Sequence, residues 1–243
     1  MKMLAFARRN LKEILRDPLN IFFGLGFPVI LLLLLSAIQA HIPVALFEIG
    51  HLTPGVTVFG LSFMSLFSAT LIARDRQSSL LQRLYTTPMK AWDFILGYAL
   101  PILPLALLQG TACYLCAFLL GLSPSVHVLS ALLLLIPLSL LFIGIGLLCG
   151  SLLTDKQVGG ICGALLTNLS AWLSGVWFDL DLVGGVFKKI ASLLPFFHGV
   201  QMERAALLGN YSGIFPALFW VLGYGALILS AAAWAFLRQM KRI

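Results

Sequence analysis

Residues 73–92 read ARDRQSSLLQRLYTTPMKAW, which is the longest charge-rich stretch in a chain of 243 residues that is 60% apolar. The stretch is too polar to span a membrane, because Arg74 and Arg76 stand near its start. It is too apolar for a flexible linker, because Leu81 and Leu84 recur at helical spacing. The pattern therefore predicts a short amphipathic helix between two membrane spans.

The composition is that of a membrane protein. Only 10% of the residues are charged and the mean hydropathy is +1.01, whereas soluble domains carry about 25% charged residues. The net charge of +7 would suit a nucleic-acid-binding protein only if a folded domain presented a basic face. Here the basic residues flank apolar runs, so we expect no nucleic-acid partner.

Six apolar runs are long enough to cross a bilayer, which needs about 20 residues. None of them contains Asp, Glu, Lys, Arg or His. They cover residues 19–39, 54–73, 97–120, 128–153, 158–178 and 213–237. The sequence therefore predicts an all-α polytopic membrane protein in which residues 1–243 form one transmembrane domain with six transmembrane helices.

The basic residues set the predicted orientation. Thirteen Lys and Arg residues lie in the two termini and in alternate connecting segments, and the remaining three lie in residues 179–212. Because cytoplasmic segments carry the excess of Lys and Arg, we expect both termini and residues 74–92 in the cytoplasm. Residues 179–212 are then extracytoplasmic.

Two further helical elements are expected outside the spans. Residues 1–18 have an apolar and a basic face at helical spacing, which predicts an interfacial amphipathic helix on the cytoplasmic leaflet; the alternative is an ordinary basic flank. Residues 179–212 alternate polar and apolar groups and break near Pro195, which predicts a re-entrant helical pair before the last span. A plain extracytoplasmic loop is the alternative there.

Motifs for chemistry are missing from the sequence. It contains no G-x-x-x-x-G-K-[ST] phosphate-binding loop, and we predict no catalytic, cofactor-binding or metal-binding residues. The lack of acids and histidines in the runs argues against proton coupling, although sodium sites built from carbonyls and hydroxyls stay open. Two small-residue motifs, Gly146-x-x-x-Gly150 and Gly159-x-x-x-Gly163, predict close helix packing across the 154–157 turn.

The opening stretch resembles the coupling segment of the membrane subunits of type 2 ATP-binding-cassette (ABC) exporters. That segment commonly runs Arg-Glu-Arg-Glu-Glu-Gly-Thr-Leu-Glu-Arg-Leu-x-x-Thr-Pro and is followed by Gly-Lys. The matching residues are Arg74, Arg76, Leu81, Arg83, Leu84, Thr87, Pro88 and Gly97, with Asp75 as a conservative change. The departures are Ser79 for glycine, Leu80 for threonine, Gln82 for glutamate and Tyr98 for lysine. The family's proline-to-arginine element before the last span is similar to residues 195–204.

The resemblance implies the permease subunit of an exporter in the cytoplasmic (plasma or inner) membrane. The permease would form a homodimer or heterodimer with two copies of a separate P-loop ATPase, which binds the ATP and magnesium, and this chain would need no cofactor. The expected ATPase-coupling residues are Arg74, Asp75, Arg76, Leu80, Leu81, Arg83, Leu84, Tyr85, Thr87 and Pro88. The expected outer-gate residues are Pro195, Phe196, Phe197 and Arg204.

A hydrophobic or amphipathic substrate (drug, lipid or glycan-like) would suit an aromatic lining, although the sequence identifies no individual substrate residue. The candidates for that lining are Phe22, Phe23, Phe27, Phe59, Phe63, Phe67, Trp172 and Trp177. Two other functions stay open. One is a carrier or channel that works without an ATPase, and the other is a membrane scaffold or sensor.

Overall fold

The structure, a computed structural model, describes residues 2–42, 44–78, 80–87 and 89–240, and this part of the chain contains helices and no strands. The α-helices are α1 (Lys2–Leu15), α2 (Pro18–Ile21), α3 (Phe27–His41), α4 (Ile49–Gln77), α5 (Leu80–Tyr85), α6 (Ala91–Leu119), α7 (Val126–Leu152), α8 (Asp155–Val158), α9 (Thr167–Leu173), α10 (Leu180–Val183), α11 (Gly185–Leu193), α12 (Pro195–Leu207) and α13 (Tyr211–Met240). Two π-helical segments, Phe22–Gly26 and Gly159–Leu166, join α2 to α3 and α8 to α9, and Ala45–Phe47 forms a 3₁₀ turn.

Five helices in the described residues are long and apolar enough to cross a membrane. They are Pro18–His41, Ile49–Gln77, Trp92–Leu119, Val126–Leu152 and Tyr211–Arg238. This finding confirms the all-helical, multi-pass architecture and matches five of the six predicted runs. The count of six spans is not confirmed.

The remaining run, 158–178, folds less regularly than the other five. It comprises the end of α8, the π-helical segment Gly159–Leu166 and α9, which ends at Leu173. Gly175 follows with a φ of +73°, a left-handed conformation that glycine adopts without steric cost. The helix therefore stops before residue 178, and the chain turns away at that point.

Helix α4 occupies the centre of the molecule and packs closely against α7. A Cβ atom on Gly146 would overlap the Ser65 carbonyl oxygen, and one on Gly150 would lie 2.6 Å from the Ala69 carbonyl oxygen. The Ser65 hydroxyl donates a 2.7 Å hydrogen bond to the Phe142 carbonyl. Gly146 and Gly150 therefore make a close helix contact, and the helix that they contact is α4.

The prediction that these glycines pack across the 154–157 turn was wrong. Gly159 has no atom within 4 Å of a Cβ position, and Gly163 has only Leu66 of α4 at 3.5 Å. Serine and alanine side chains on α4 leave α7 room to approach it, whereas the π-helical segment meets α7 through Cys162, which contacts Cys149, and not through its glycines.

Helix α1 lies against the first half of α6. The Phe6 ring meets the Tyr98 ring edge-on, with centroids 4.9 Å apart, and Asn10 Nδ2 donates a 3.0 Å hydrogen bond to the Gly97 carbonyl. A Cβ atom on Gly97 would overlap the Phe6 ring. Glycine at position 97 therefore permits this docking, which places α1 beside the start of α6.

Candidate functional site

The charged segment between α4 and α6, residues 74–92, is called the connector below. Its first residues continue α4 as far as Gln77, and the separate short helix α5 begins only at Leu80. After α5 the Thr87 hydroxyl donates a 2.5 Å hydrogen bond to the Leu84 carbonyl, and the Asp93 carboxylate accepts from the Lys90 amide at the start of α6. Pro88 lies outside the described residues.

The connector has an inward and an outward side. Leu81 is 1% exposed and belongs to the main apolar core, and Leu84 is half-buried against that core. Arg83 and Thr86 are exposed, and Leu80 and Thr87 are half-buried. The outward side is therefore the part of α5 that a partner can reach, while Leu81 anchors the helix to the membrane domain.

Asp75 points into the protein. It is 1% exposed, and its Oδ2 atom accepts hydrogen bonds from Arg9 Nη1 at 2.6 Å and from the Tyr98 hydroxyl at 2.8 Å. Arg9 also forms an ion pair of 2.5 Å with Glu13. The Asp75 cluster, defined as Arg9, Glu13, Asp75 and Tyr98, thus ties α1, α4 and α6 together at one point.

The two arginines that flank Asp75 make contacts to other helices. Arg76 Nη1 donates to the carbonyls of Gly150, Ser151 and Leu153 at 2.7–3.2 Å. These carbonyls end α7, where a cation is favoured by the helix dipole and by the unpaired acceptors. Arg74 Nη1 lies 3.4 Å from Asp17 Oδ2. The start of the connector therefore joins α4 to α1, α6 and α7 and to Asp17 between α1 and α2.

The predicted outer-gate residues belong to α12, which begins at Pro195 as expected. The Phe196 ring packs 5.8 Å from the Phe142 ring of α7, and Phe197 is half-buried. Arg204 is 9% exposed; its Nε donates to the His51 carbonyl and its Nη2 to the Gly175 carbonyl. Arg204 thus fastens α12 to the first turn of α4 and to the loop after α9.

Arg204 lines a cavity of about 190 Å³. Burial lowers the pKa of Arg204 to about 10, and the negative charge of Asp179 partly offsets this lowering. The guanidinium therefore stays charged at neutral pH. Asp181 lines the same cavity and forms an ion pair with Lys188. The described residues contain no group of three or more His, Cys, Asp or Glu side chains that could hold a metal ion.

Sequence reasoning missed one buried acid, Glu203 of α12. It is 0% exposed, and its Oε2 accepts a 3.0 Å hydrogen bond from the Tyr114 hydroxyl of α6. Burial raises the pKa of Glu203 well above its ordinary value, and the Tyr114 hydrogen bond opposes the shift. The spacing offered a signal, since Glu203 follows Phe196, Gly199 and Val200 at i, i+3, i+4 and i+7 on one helix face.

Several of the aromatic candidates form a continuous row between the first span and α4. The ring centroids of Phe23 and Phe63 are 6.1 Å apart, those of Phe27 and Phe63 are 5.8 Å apart, and those of Phe59 and Trp177 are 5.7 Å apart. Phe22 stacks edge-on against Phe23, Phe67 fills the space over Gly24, and Trp172 is exposed. The row is an apolar strip along α4 in which Phe59, Phe63 and Phe67 are buried and Phe22 and Phe23 are exposed.

These features define a class of protein: an all-helical, multi-pass membrane domain whose central span leads into a charged connector with a short amphipathic helix. The family model of the ABC-2 type transporter matches residues 1–208. The chain therefore belongs to this family, and it is the membrane permease component of a type 2 ABC transporter rather than the ATPase. Membership implies a partner ATP-binding subunit. No curated protein matches the chain.

Proposed function

We propose that this permease exports a hydrophobic or amphipathic substrate (drug, lipid or glycan-like) across the cytoplasmic membrane. It acts as a homodimer or heterodimer, with two copies of the P-loop ATPase bound beneath it. The observation that carries this proposal is α5, because one side of the helix is anchored in the apolar core by Leu81 and the other side presents Arg83. Such a helix suits a partner that binds from the cytoplasm.

Coupling follows from how the connector is attached. The ATPase binds the outward side of α5, around Leu80 and Arg83, and moves that helix when ATP draws its two copies together. Helix α5 is connected to α4 on its N-terminal side and to α6 on its C-terminal side. Both spans therefore move when α5 moves. The Asp75 cluster and the Arg76 hydrogen bonds carry α1 and α7 in the same direction, since packed helices move as rigid elements.

The substrate route runs along the aromatic row beside α4, and α12 closes it at the outer end. Aromatic side chains bind apolar surface without requiring charged partners, which favours a hydrophobic or amphipathic substrate. Phe196 and Arg204 hold α12 against α7 and α4. Opening of the outer gate therefore requires that these two contacts loosen.

The topology that completes this proposal has both termini in the cytoplasm and a sixth span formed by residues 158–178. Helix α1 lies at the cytoplasmic interface, because Leu4 and Leu15 are exposed apolar side chains. A neighbouring groove of about 640 Å³ is lined by basic residues that include Arg8, Lys12 and Arg16. Exposed leucines beside basic side chains suit the boundary between acyl chains and anionic headgroups.

The test is to purify the chain from its native membrane in mild detergent and identify what accompanies it. We expect a P-loop ATPase in stoichiometric amount, lost from Arg83→Glu and retained by Lys156→Glu, which makes the same charge change at an exposed residue of α8. We also expect Leu84→Asp to separate ATP hydrolysis from transport. A chain that purifies alone and transports in ATP-free vesicles would instead be a carrier or channel.

A further inference from the structure

Glu203 is a buried acid that has no role in the coupling mechanism proposed above. Its side chain has 0% exposure on α12, a helix that packs against α4, α7 and α13. One oxygen, Oε2, accepts from the Tyr114 hydroxyl at 3.0 Å, and the other, Oε1, is buried with no hydrogen-bond partner among the described residues. An unpaired buried carboxyl oxygen requires an explanation.

No described cation forms an ion pair with Glu203. Its neighbour Arg204 turns away, toward the His51 and Gly175 carbonyls. On α6 the group that faces Glu203 is the Tyr114 hydroxyl, and the adjacent Cys113 thiol contacts Gln109 instead. The carboxyl group therefore lacks a compensating positive charge in the described part of the chain.

The other elements that pack on α12 direct their titratable groups elsewhere. His127 of α7 contacts Tyr211 of α13, Tyr224 of α13 donates to the Leu193 carbonyl, and Lys188 of α11 pairs with Asp181, while Lys189 is exposed. His51 of α4 lines the cavity beside Arg204. The remaining titratable groups of α4, α7 and α13 have other partners: Asp75 pairs with Arg9, Arg74 with Asp17, Arg76 with the end of α7, Cys149 with Cys162, and Arg238 lies over the Trp234 ring. Helix α9 carries no titratable residue. The surroundings of Glu203 thus favour a neutral side chain.

A neutral carboxylic acid fits these contacts better than a carboxylate. A buried carboxylate without a cation costs far more free energy than a buried hydroxyl without a partner. With the proton on Oε1, the carbonyl oxygen is Oε2, and Oε2 is the atom that accepts from Tyr114. The position of the Tyr114 donor therefore agrees with a protonated Glu203.

We propose that Glu203 is a proton-binding site of the outer gate, protonated while α12 is packed and deprotonated when the gate opens. This inference rests on the proposed function of α12 as the gate. On opening, the O–H bond on Oε1 breaks, the proton passes to water at the outer face, and the carboxylate is solvated there. On closure one proton returns from the outer side. Each gate cycle thus exchanges one proton with the outer medium.

The sign of the pH dependence follows from this exchange. A solvated glutamate releases its proton above about pH 4.3, and burial raises the pKa of Glu203 in the closed gate well above that range. Between the two values, opening releases one proton, so alkaline outer pH favours the open gate. The equilibrium constant for opening then changes by up to about tenfold per pH unit.

The first experiment is infrared spectroscopy of the purified permease at neutral pH, which detects the C=O band of a protonated carboxylic acid. We expect the wild-type band to disappear in Glu203→Gln and to remain in Glu48→Gln, which makes the same change at an exposed glutamate before α4. Tyr114→Phe is expected to shift the band to higher frequency, because Oε2 loses its donor. A spectrum that Glu203→Gln leaves unchanged overturns the proposal.

The second experiment uses the whole transporter, permease with its copurified ATPase, trapped with ATP and vanadate. Loss of the Glu203 band in the trapped complex supports proton release, and persistence of the band overturns it. In proteoliposomes with the ATPase outside, we expect ATP turnover to rise with luminal pH in wild type and not in Glu203→Gln. Absence of any copurifying ATPase would refute the proposed function alone, since the first experiment needs only the permease.

Discussion

Replacing Asp75 by asparagine tests whether the charged start of the connector serves the permease itself or the ATPase. The change keeps the size of the side chain and one acceptor oxygen, but it removes the charge that pairs with Arg9 and strengthens the Tyr98 hydrogen bond. We expect α1 to detach more readily from α4 and α6, because the Asp75 cluster is the polar contact that joins all three helices.

The magnitude follows from the exposure of each partner. The Arg9 side chain is 39% exposed and keeps its ion pair with Glu13, so loss of the Asp75 pair costs about 1 kcal/mol. The Tyr98 hydrogen bond changes from a charged to a neutral acceptor, which costs about 1 kcal/mol. The new amide N–H₂ group is buried without a clear acceptor and costs about another 1 kcal/mol. The total of about 3 kcal/mol corresponds to a factor of about 100.

Hydrogen–deuterium exchange of the permease in lipid nanodiscs measures this change. We expect the amides of α1 to exchange about 100-fold faster in Asp75→Asn than in wild type, since local opening sets the exchange rate. Arg74→Gln is the control, because its side chain is 50% exposed and its ion pairs are 3.4 and 3.9 Å long. Unchanged exchange together with loss of the bound ATPase would refute our reasoning and place Asp75 at the partner interface.

Two further changes test the packing around α4 and α7. Gly146→Ala is expected to lower the free energy of unfolding by about 2–3 kcal/mol, because the new methyl group overlaps the Ser65 carbonyl; Gly225→Ala, which meets open space, should not lower the unfolding midpoint in the same detergent. Arg76→Gln is expected to speed proteolysis after α7 several-fold. The carbonyls that end α7 lose their hydrogen-bond donor, and this loss costs about 2 kcal/mol of free energy. Equal cleavage of Arg76→Gln and the exposed-site control Arg83→Gln would contradict that role.

Hydropathy and proline placement predicted much of the fold. The apolar runs needed no tertiary information, because only helices satisfy their own backbone groups in lipid, and Pro195 marked the start of α12. The run 158–178 was harder to predict because a π-helical segment interrupts the α-helix there. Its π-helical segment and the left-handed Gly175 depend on what packs beside them, so composition alone does not determine them.

The sequence likewise predicted one part of the candidate site and not the other. The connector was identified by its pattern, but the pattern does not show which charges face inward. Asp75 reads as a solvated acid until Tyr98 and Arg9, 23 residues after it and 66 before it, are seen to meet it. Glu203 likewise lies in a segment of mixed polarity, and its burial depends on the approach of Tyr114 from α6. For Asp75 the sequence carries no local signal of these contacts, and for Glu203 the helical spacing indicates the face of α12 but not the partner Tyr114.

Helix α4 offers a direct physical link between the connector and α12, the proposed outer gate. It contains 29 residues and is therefore about 43 Å long. Arg76 and Asp75 fasten its connector end to α7, α1 and α6, and the His51 carbonyl in its first turn binds Arg204 of α12. A tilt of α4 imposed at α5 must therefore strain the Arg204 contact at the other end. In the proposed mechanism, motion of the ATPase then reaches α12 without a chain of intermediate side chains, because one rigid helix is held at both ends.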